Sequence, residues 1–249
     1  MNTINRIGEK RMMNCGMIAK IIKYKNAKDI DIKFEDGYIK RNVEYNTFKK
    51  GQIINPYIPT LYGVGYIGET STKKDGKSLK SYDYWYNMIK RCYSKVYQKK
   101  QPTYVGCSVY EEWKCYANFK EWFDMNFYCI NNERIDLDKD ILIKGNKIYS
   151  PDTCIFVPHS INCLFTKNDK RRGNLPIGVK LSYGKYYVST SKIEGVDKNL
   201  GTFNTMEEAF YAYKEAKEKE IKRVADLYKD KIPQKLYEAM YNYEVEITD

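Results

Sequence analysis

The sequence predicts an α+β chain of three small modules. An antiparallel β module spans 1–60, a helix/β-hairpin/helix module spans 61–170, and a three-stranded sheet packed on a helix spans 171–249. Three observations predict this. Polar and apolar residues alternate with period two around Asp36-Gly37. Large apolar residues recur at helical spacing at Trp85, Met88, Ile89 and Cys92. Three short β-rich runs after Gly173 lead into a long helical pattern that opens at Thr205. With 249 residues, 43% of them hydrophobic and 30% charged, the chain is long and apolar enough to bury cores of this size.

In the first segment, residues 17–24 form a β-rich run and 29–34 and 38–45 alternate. Ile30, Ile32 and Phe34 fall on one strand face, and Asp29, Asp31, Lys33 and Glu35 on the other. Asp36-Gly37 between the last two runs supplies the positive φ of a tight hairpin turn. Asn55-Pro56 and Ile58-Pro59 mark a linker. In the second segment a Lys/Gly/Ser-rich loop at 71–80 precedes a helix over 82–93. A second helix follows over 116–127, with Phe119, Trp122 and Phe123 as its core stripe. The stretch 137–162 reads as a strand, a turn at Gly145-Asn146, a second strand and a short helix. The third segment follows the basic run Lys170-Arg171-Arg172. Its strands are expected at 178–181, 185–191 and 199–203. Thr205 is placed to cap a helix over 206–228, with Glu207 and Glu208 in its first turn and Ala209, Ala212, Tyr213 and Ala216 on its packing face. Pro233 ends that helix.

The charge points to polyanions. Net charge is +11, and residues 1–60 alone contribute +6, whereas 174–249 sum to −1. A basic chain of this size favours nucleic acid. In the first segment Lys20, Lys23, Lys25, Lys40, Arg41, Lys49 and Lys50 interleave with Tyr24, Phe34, Tyr38, Tyr45 and Phe48. That composition permits backbone contacts, and a barrel core needs the same aromatics. The 25 tyrosines carry apolar area with a polar tip, which suits small modules with shallow cores. Residues 2–11 are polar and charged, so no secretory leader is expected, and no apolar run approaches membrane-spanning length. The seven cysteines are odd in number and contain no CxxC pair. They are expected to be reduced thiols of a cytoplasmic, nucleoid-associated protein in a bacterial host. A zinc site of Cys92, Cys107 and Cys154 matches no standard ligand spacing and is not expected.

Two stretches resemble known families. Gly178-Val179, Gly184-Lys185-Tyr186-Tyr187-Val188-Ser189, Leu200-Gly201-Thr202-Phe203, Glu207-Glu208-Ala209 and Ala212-Tyr213 resemble the Apetala/ethylene-response-factor type of DNA-binding domain over about fifty residues. The resemblance implies a helix behind a three-stranded sheet whose outer face enters the major groove. Strand alternation sets Lys185, Tyr187 and Ser189 on that face and Tyr186 and Val188 on the helix side. Lys180, Lys185 and Lys192 then give the sheet positive charge only. Arg171 and Arg172 are added as phosphate contacts. The family's usual reading-face Arg and Trp have no counterpart in 178–203.

The stretch from Trp85 through Trp113 to Asn162 resembles phage homing endonucleases of the HNH type, in degenerate form. Those enzymes hold one divalent metal between a β-hairpin and a helix. The resemblance implies catalytic positions at Asp138, Asp140, Asn146 and His159, with Mg²⁺ bound by Asp138 and Asp140 lying on one strand face. His159 is the single histidine of the chain and cannot fill both histidine roles of such a site. A catalytically inactive fold kept for double-stranded DNA binding is therefore the leading expectation, in a protein of phage or mobile-element type. The two alternatives are an active metal-dependent nickase and a phage inhibitor that binds a host defence protein or its nucleic-acid complex.

Overall fold

The computed structural model describes residues 5–166, 173–184 and 186–249, with Tyr186 described by its backbone alone. The architecture is α+β with several small sheets. Two compact units are present: Met1–Val105 with Glu111–Glu121, and Gly106–Tyr110 with Trp122–Asp249.

The first unit begins with an antiparallel sheet of four consecutive strands: β1 Lys10–Met12, β2 Ile18–Asn26, β3 Asp29–Phe34 and β4 Ile39–Val43. Ile30, Ile32 and Phe34 are buried, as the alternation predicts. They meet Ala19 and Ile21 of β2 and Phe48 of α1 (Tyr45–Lys49). Phe34 and Phe48 are buried while Tyr24, Tyr38 and Tyr45 pack against them, so the aromatics between the lysines are this module's core. Asp31 departs from the expected polar face. It is buried because Arg41 Nη1 (3.3 Å) and the Asn42 backbone N–H (3.1 Å) both donate to its carboxylate. The expected linker at Asn55 is also tied down. The Asn55 amide donates to Asp36 Oδ2 at 2.6 Å and its Oδ1 accepts from Tyr57 N, which fastens the chain to the Asp36-Gly37 turn.

The expected loop at 71–80 contains a miniature hairpin, β5 (Lys73–Lys74) and β6 (Lys77–Ser78). Its turn is Asp75-Gly76, both with positive φ, the twist that two-residue hairpins require. Helix α2 (Lys80–Tyr93) buries Trp85, Met88, Ile89 and Cys92 on one side, as predicted. The Trp85 indole N–H donates to the Trp113 carbonyl at 2.8 Å, which satisfies a buried donor. A short helix α3 (Lys95–Lys100) follows, then α4 (Tyr116–Asn126).

In the second unit β7 (Ser108–Val109) pairs in parallel with β9 (Ile148–Tyr149). Strand β8 (Ile135–Asp138) pairs antiparallel with β10 (Ile155–Pro158), which runs into the short helix α5 (His159–Asn162). The sequence order suggests that 137–142 should pair with the very next strand. Instead β8 skips β9 and takes β10, because Ile155, Phe156 and Val157 supply a fully apolar strand to cover Ile135 and Leu137.

The C-terminal sheet has three antiparallel strands in sequence order: β11 (Val179–Ser182), β12 (Tyr186–Ile193) and β13 (Val196–Phe203). Its β12–β13 turn is Glu194-Gly195, both at positive φ. The helix behind it, α6, spans Met206–Tyr228. Thr205 Oγ1 accepts from the Glu208 backbone N–H and Glu208 Oε2 accepts from the Thr205 N–H, a reciprocal cap that satisfies two donors of the first turn. At 23 residues α6 is about 34 Å long and serves two cores. Ala209, Phe210 and Tyr213 pack on Val179 of the sheet. Ile221, Val224 and Ala225 pack on Ile155, Val157 and Ile161, together with Leu236 and Met240 of α7 (Gln234–Tyr241). Gly178 shows how tightly sheet and helix meet. It sits at φ +78°, and a Cβ there would land inside the Tyr213 ring.

Candidate nucleic-acid interface

The register of β12 decides which side chains the sheet presents. Val188 pairs with Lys180 on β11 and Thr202 on β13, Thr190 pairs with Asn199, and Lys192 with Asp197. Lys180, Lys192, Asp197, Asn199 and Thr202 are exposed, while Val188 and Thr190 are half-buried. Directly paired residues share a face. These seven therefore lie on the outer face: two ammonium groups, one carboxylate and one valine among hydroxyl and amide groups.

The opposite row is Tyr187, Ser189 and Ser191. Ser189 is fully buried and Ser191 nearly so, and Tyr187 packs with Phe203 against the Tyr213 core. The expected assignment of Tyr187 and Ser189 to the reading face is thus reversed, and Val188 faces outward. Tyr186, Tyr187 and Val188 are all apolar-bodied, so local alternation does not distinguish the two faces. Small residues do. Ser189 lies directly opposite Gly201, and Ala209, Ala212 and Ala216 recur along α6, so the small row belongs under the helix. The expectation of positive charge only is corrected as well, because Asp197 stands directly across from Lys192. Of the other expected contacts, Lys180 and Lys192 are on the outer face, whereas Arg171, Arg172 and Lys185 lie outside the described residues.

The acidic loop after β8 is built around a cation that the chain itself supplies. Lys139 is 6% exposed. Its ammonium donates to Asp140 Oδ2 and to the Asn146 carbonyl, both at 2.9 Å, and lies 5.9 Å from the centre of the Tyr149 ring. The Asn146 amide returns 2.6 and 2.7 Å bonds to the Lys139 and Ile148 carbonyls. Asp138 ends β8, and its Oδ1 accepts the backbone N–H groups of Asp140 and Ile141 at 2.9 and 2.7 Å. Asp140 has left the strand, so the two carboxylates do not line one strand face as expected. Burial, with Asp140 nearby, pushes the Asp138 carboxyl up to about 6. Asp138, Asp140 and Asn146 are thus parts of a turn that closes on Lys139, and a metal at Asp140 would have to displace an ammonium. Among the described residues no group of three or more His, Cys, Asp or Glu is placed to hold a metal ion. Of the cysteines considered for zinc, Cys92, Cys107 and Cys154 are each buried, and burial pushes the Cys154 thiol up to about 12.

His159 opens α5 where expected, but it works with none of the other proposed site residues. Its Nδ1 lies 2.6 Å from Asp136 Oδ2, which also accepts from Asn162 Nδ2 at 3.1 Å, while Arg134 Nε donates to Asp136 Oδ1 at 2.9 Å. Burial raises the Asp136 carboxyl, but the bonds from His159 and Asn162 and the charge of Arg134 outweigh it and leave its pKa lowered. Asp136 was not anticipated. Its signal was the alternation Ile135-Asp136-Leu137-Asp138, which sets Asp136 beside Asp138. What sequence could not supply was the Val157↔Asp136 register that brings His159 to it. On the same helix the Ser160 hydroxyl donates to Glu133 and lies 3.0 Å from the Tyr228 hydroxyl of α6.

No family model, curated protein or solved structure matches this chain. Among the described residues no helix is long and apolar enough to cross a membrane.

Proposed function

We propose that the chain binds double-stranded DNA through the outer face of the β11–β12–β13 sheet, in a DNA-handling role of phage or mobile-element type. The observation that carries this reading is a three-stranded antiparallel sheet whose back is filled by α6 and whose front presents Lys180, Lys192, Thr190, Thr202 and Asn199. A β-ribbon fits the major groove. Lysines there contact phosphates, and hydroxyl and amide groups reach backbone or base edges. The net charge of +11 and the basic run at 170–172 add a sequence-independent, salt-sensitive attraction. Asp197 beside Lys192 weakens the positive field locally, so affinity rests on several weak contacts. The carboxylates of the 138–149 loop take no part in this reading, because they serve Lys139 and the turn.

The test is an electrophoretic shift on random duplex DNA at two salt concentrations. The double reversal Lys180→Glu/Lys192→Glu is compared with Lys73→Glu/Lys74→Glu, which changes net charge equally on the exposed β5 strand. The sheet variant should lose at least about tenfold in affinity, and its salt slope should shrink by about two. The β5 variant should lose less. Equal losses would remove the sheet from the interface. No binding by the wild type at low salt would overturn the DNA reading and favour a protein partner.

A further inference from the structure

The second unit contains a pocket of about 660 Å³ between the β12–β13 hairpin, α6 and the α5 segment. Cys163, Ser191, Lys217 and Tyr228 are among its lining residues. Cys163 is exposed and follows His159 by four residues, one helical turn, so its Sγ comes within 3.6 Å of His159 Nε2. On the other side of the ring, Nδ1 meets Asp136 at 2.6 Å, and Asn162 and Arg134 hold that carboxylate in place. A proton on Nδ1, donated to Asp136, leaves Nε2 as an acceptor facing the thiol. A thiol, an imidazole and an oriented carboxylate in this order are the elements of an activated sulfur nucleophile.

The pocket wall adds an independent observation. Ser191 is 4% exposed, and its Oγ is buried without a hydrogen-bond partner among the described residues. A buried hydroxyl left without a partner keeps the cost of its lost hydration unless a ligand meets it. Lys217 lines the same pocket and has its ammonium pKa lowered by burial, with only Glu220 opposing the shift. Glu220 is itself engaged by both Arg223 Nε (2.7 Å) and Nη2 (2.8 Å) and by the Glu194 N–H. A ligand carboxylate would answer both the hydroxyl and the ammonium.

We propose that Cys163, His159 and Asp136 form a proton relay that makes Cys163 the reactive thiol of this protein, and that the adjoining pocket admits a small, carboxylate-bearing disulfide. His159 Nε2 takes the Cys163 proton while Asp136 steadies the imidazolium. The thiolate attacks one sulfur of the disulfide, the S–S bond breaks, and a mixed disulfide forms on Cys163. The departing thiolate recovers the proton from His159, so Cys163 is oxidised and the small disulfide is reduced to one thiol. Asp136 is a positioning residue in this scheme.

Cys129, also exposed, is an internal reference, since the chain's one histidine pairs with Cys163. The full-length chain is treated with the dianionic disulfide dithiobis(nitrobenzoate) or with neutral dithiodipyridine. Modification at each cysteine is then timed by peptide mass spectrometry. Cys163 should react about tenfold faster than Cys129 with both reagents. His159→Gln should bring it down to the Cys129 rate with both. Lys217→Met should slow only the dianionic reagent. Equal rates at Cys163 and Cys129 in the wild type, or an unchanged Cys163 rate in His159→Gln, would overturn the relay. An unchanged dianion rate in Lys217→Met would overturn the carboxylate pocket.

Discussion

Replacing Gly178 with alanine tests the contact that holds the C-terminal sheet on its helix. Gly178 adopts φ +78°, a conformation that costs an L-residue about 1–2 kcal/mol. The added Cβ would overlap Cγ and Cδ2 of Tyr213 and stand 2.6 Å from Cε2, nearer than real Cβ contacts come. The ring is 6% exposed and enclosed by Val179, Phe210 and Val245, so it cannot swing clear without disturbing them. Overpacking of this kind costs about 1–3 kcal/mol, for a total of about 2–5. The backbone part survives if the ring is removed, and the clash does not. In a double-mutant cycle with Tyr213→Ala, the alanine at 178 should therefore destabilise by only about 1–2 kcal/mol more. The coupling energy should be about 1–3 kcal/mol. Urea unfolding followed by far-UV circular dichroism measures all four corners. A coupling near zero would refute the argument that Tyr213 occupies the space a Cβ needs. A Gly178→Ala protein as stable as the wild type would refute both halves of it.

Two further stability predictions test the cap and the acidic loop. Thr205→Ala should cost about 1 kcal/mol in thermal unfolding, because it removes the oxygen that accepts from Glu208 N; no loss would mean that the reciprocal cap does not support α6. Asp138 has a raised carboxyl pKa in the fold, so the folded state holds that proton more tightly than the unfolded chain. The stabilising effect of protonation is complete below about pH 4 and is lost as pH rises through about 6. Asp138→Asn keeps an oxygen for the two backbone donors and carries no charge. It should match the wild type at pH 4 and exceed it at pH 8 by about 1–3 kcal/mol in urea titrations. A less stable variant at pH 8 would show that the carboxylate, not its neutral form, suits the turn.

Much of the local structure was legible because it rests on short-range physics. Alternation placed Ile30, Ile32 and Phe34 in a core, and helical spacing did the same for Trp85, Met88, Ile89 and Cys92. Thr205 with Glu208 located the start of α6, since a cap and its partner lie three residues apart. The candidate site was less legible. Asp138, Asp140 and Asn146 have the residue types of a metal site, and nothing local reveals that Lys139 turns inward and gathers them. Tyr187 and Ser189 were set on the wrong face because Tyr186, Tyr187 and Val188 make both faces of β12 look apolar.

Sequence alone determined the α+β class, the three consecutive C-terminal strands with a capped helix behind them, and the excess of positive charge. Each depends on periodicity, on residues a few positions apart, or on simple counting. Tertiary structure decided everything that depends on register. It chose β10 over β9 as the partner of β8, and that choice put His159 against Asp136. It turned the small side of β12 toward α6, and that left Lys180 and Lys192 on the open face. A one-residue change in register inverts every side chain of a strand. Register is settled by which long-range partner buries the most apolar surface, and that sum is not written in any one stretch of the chain.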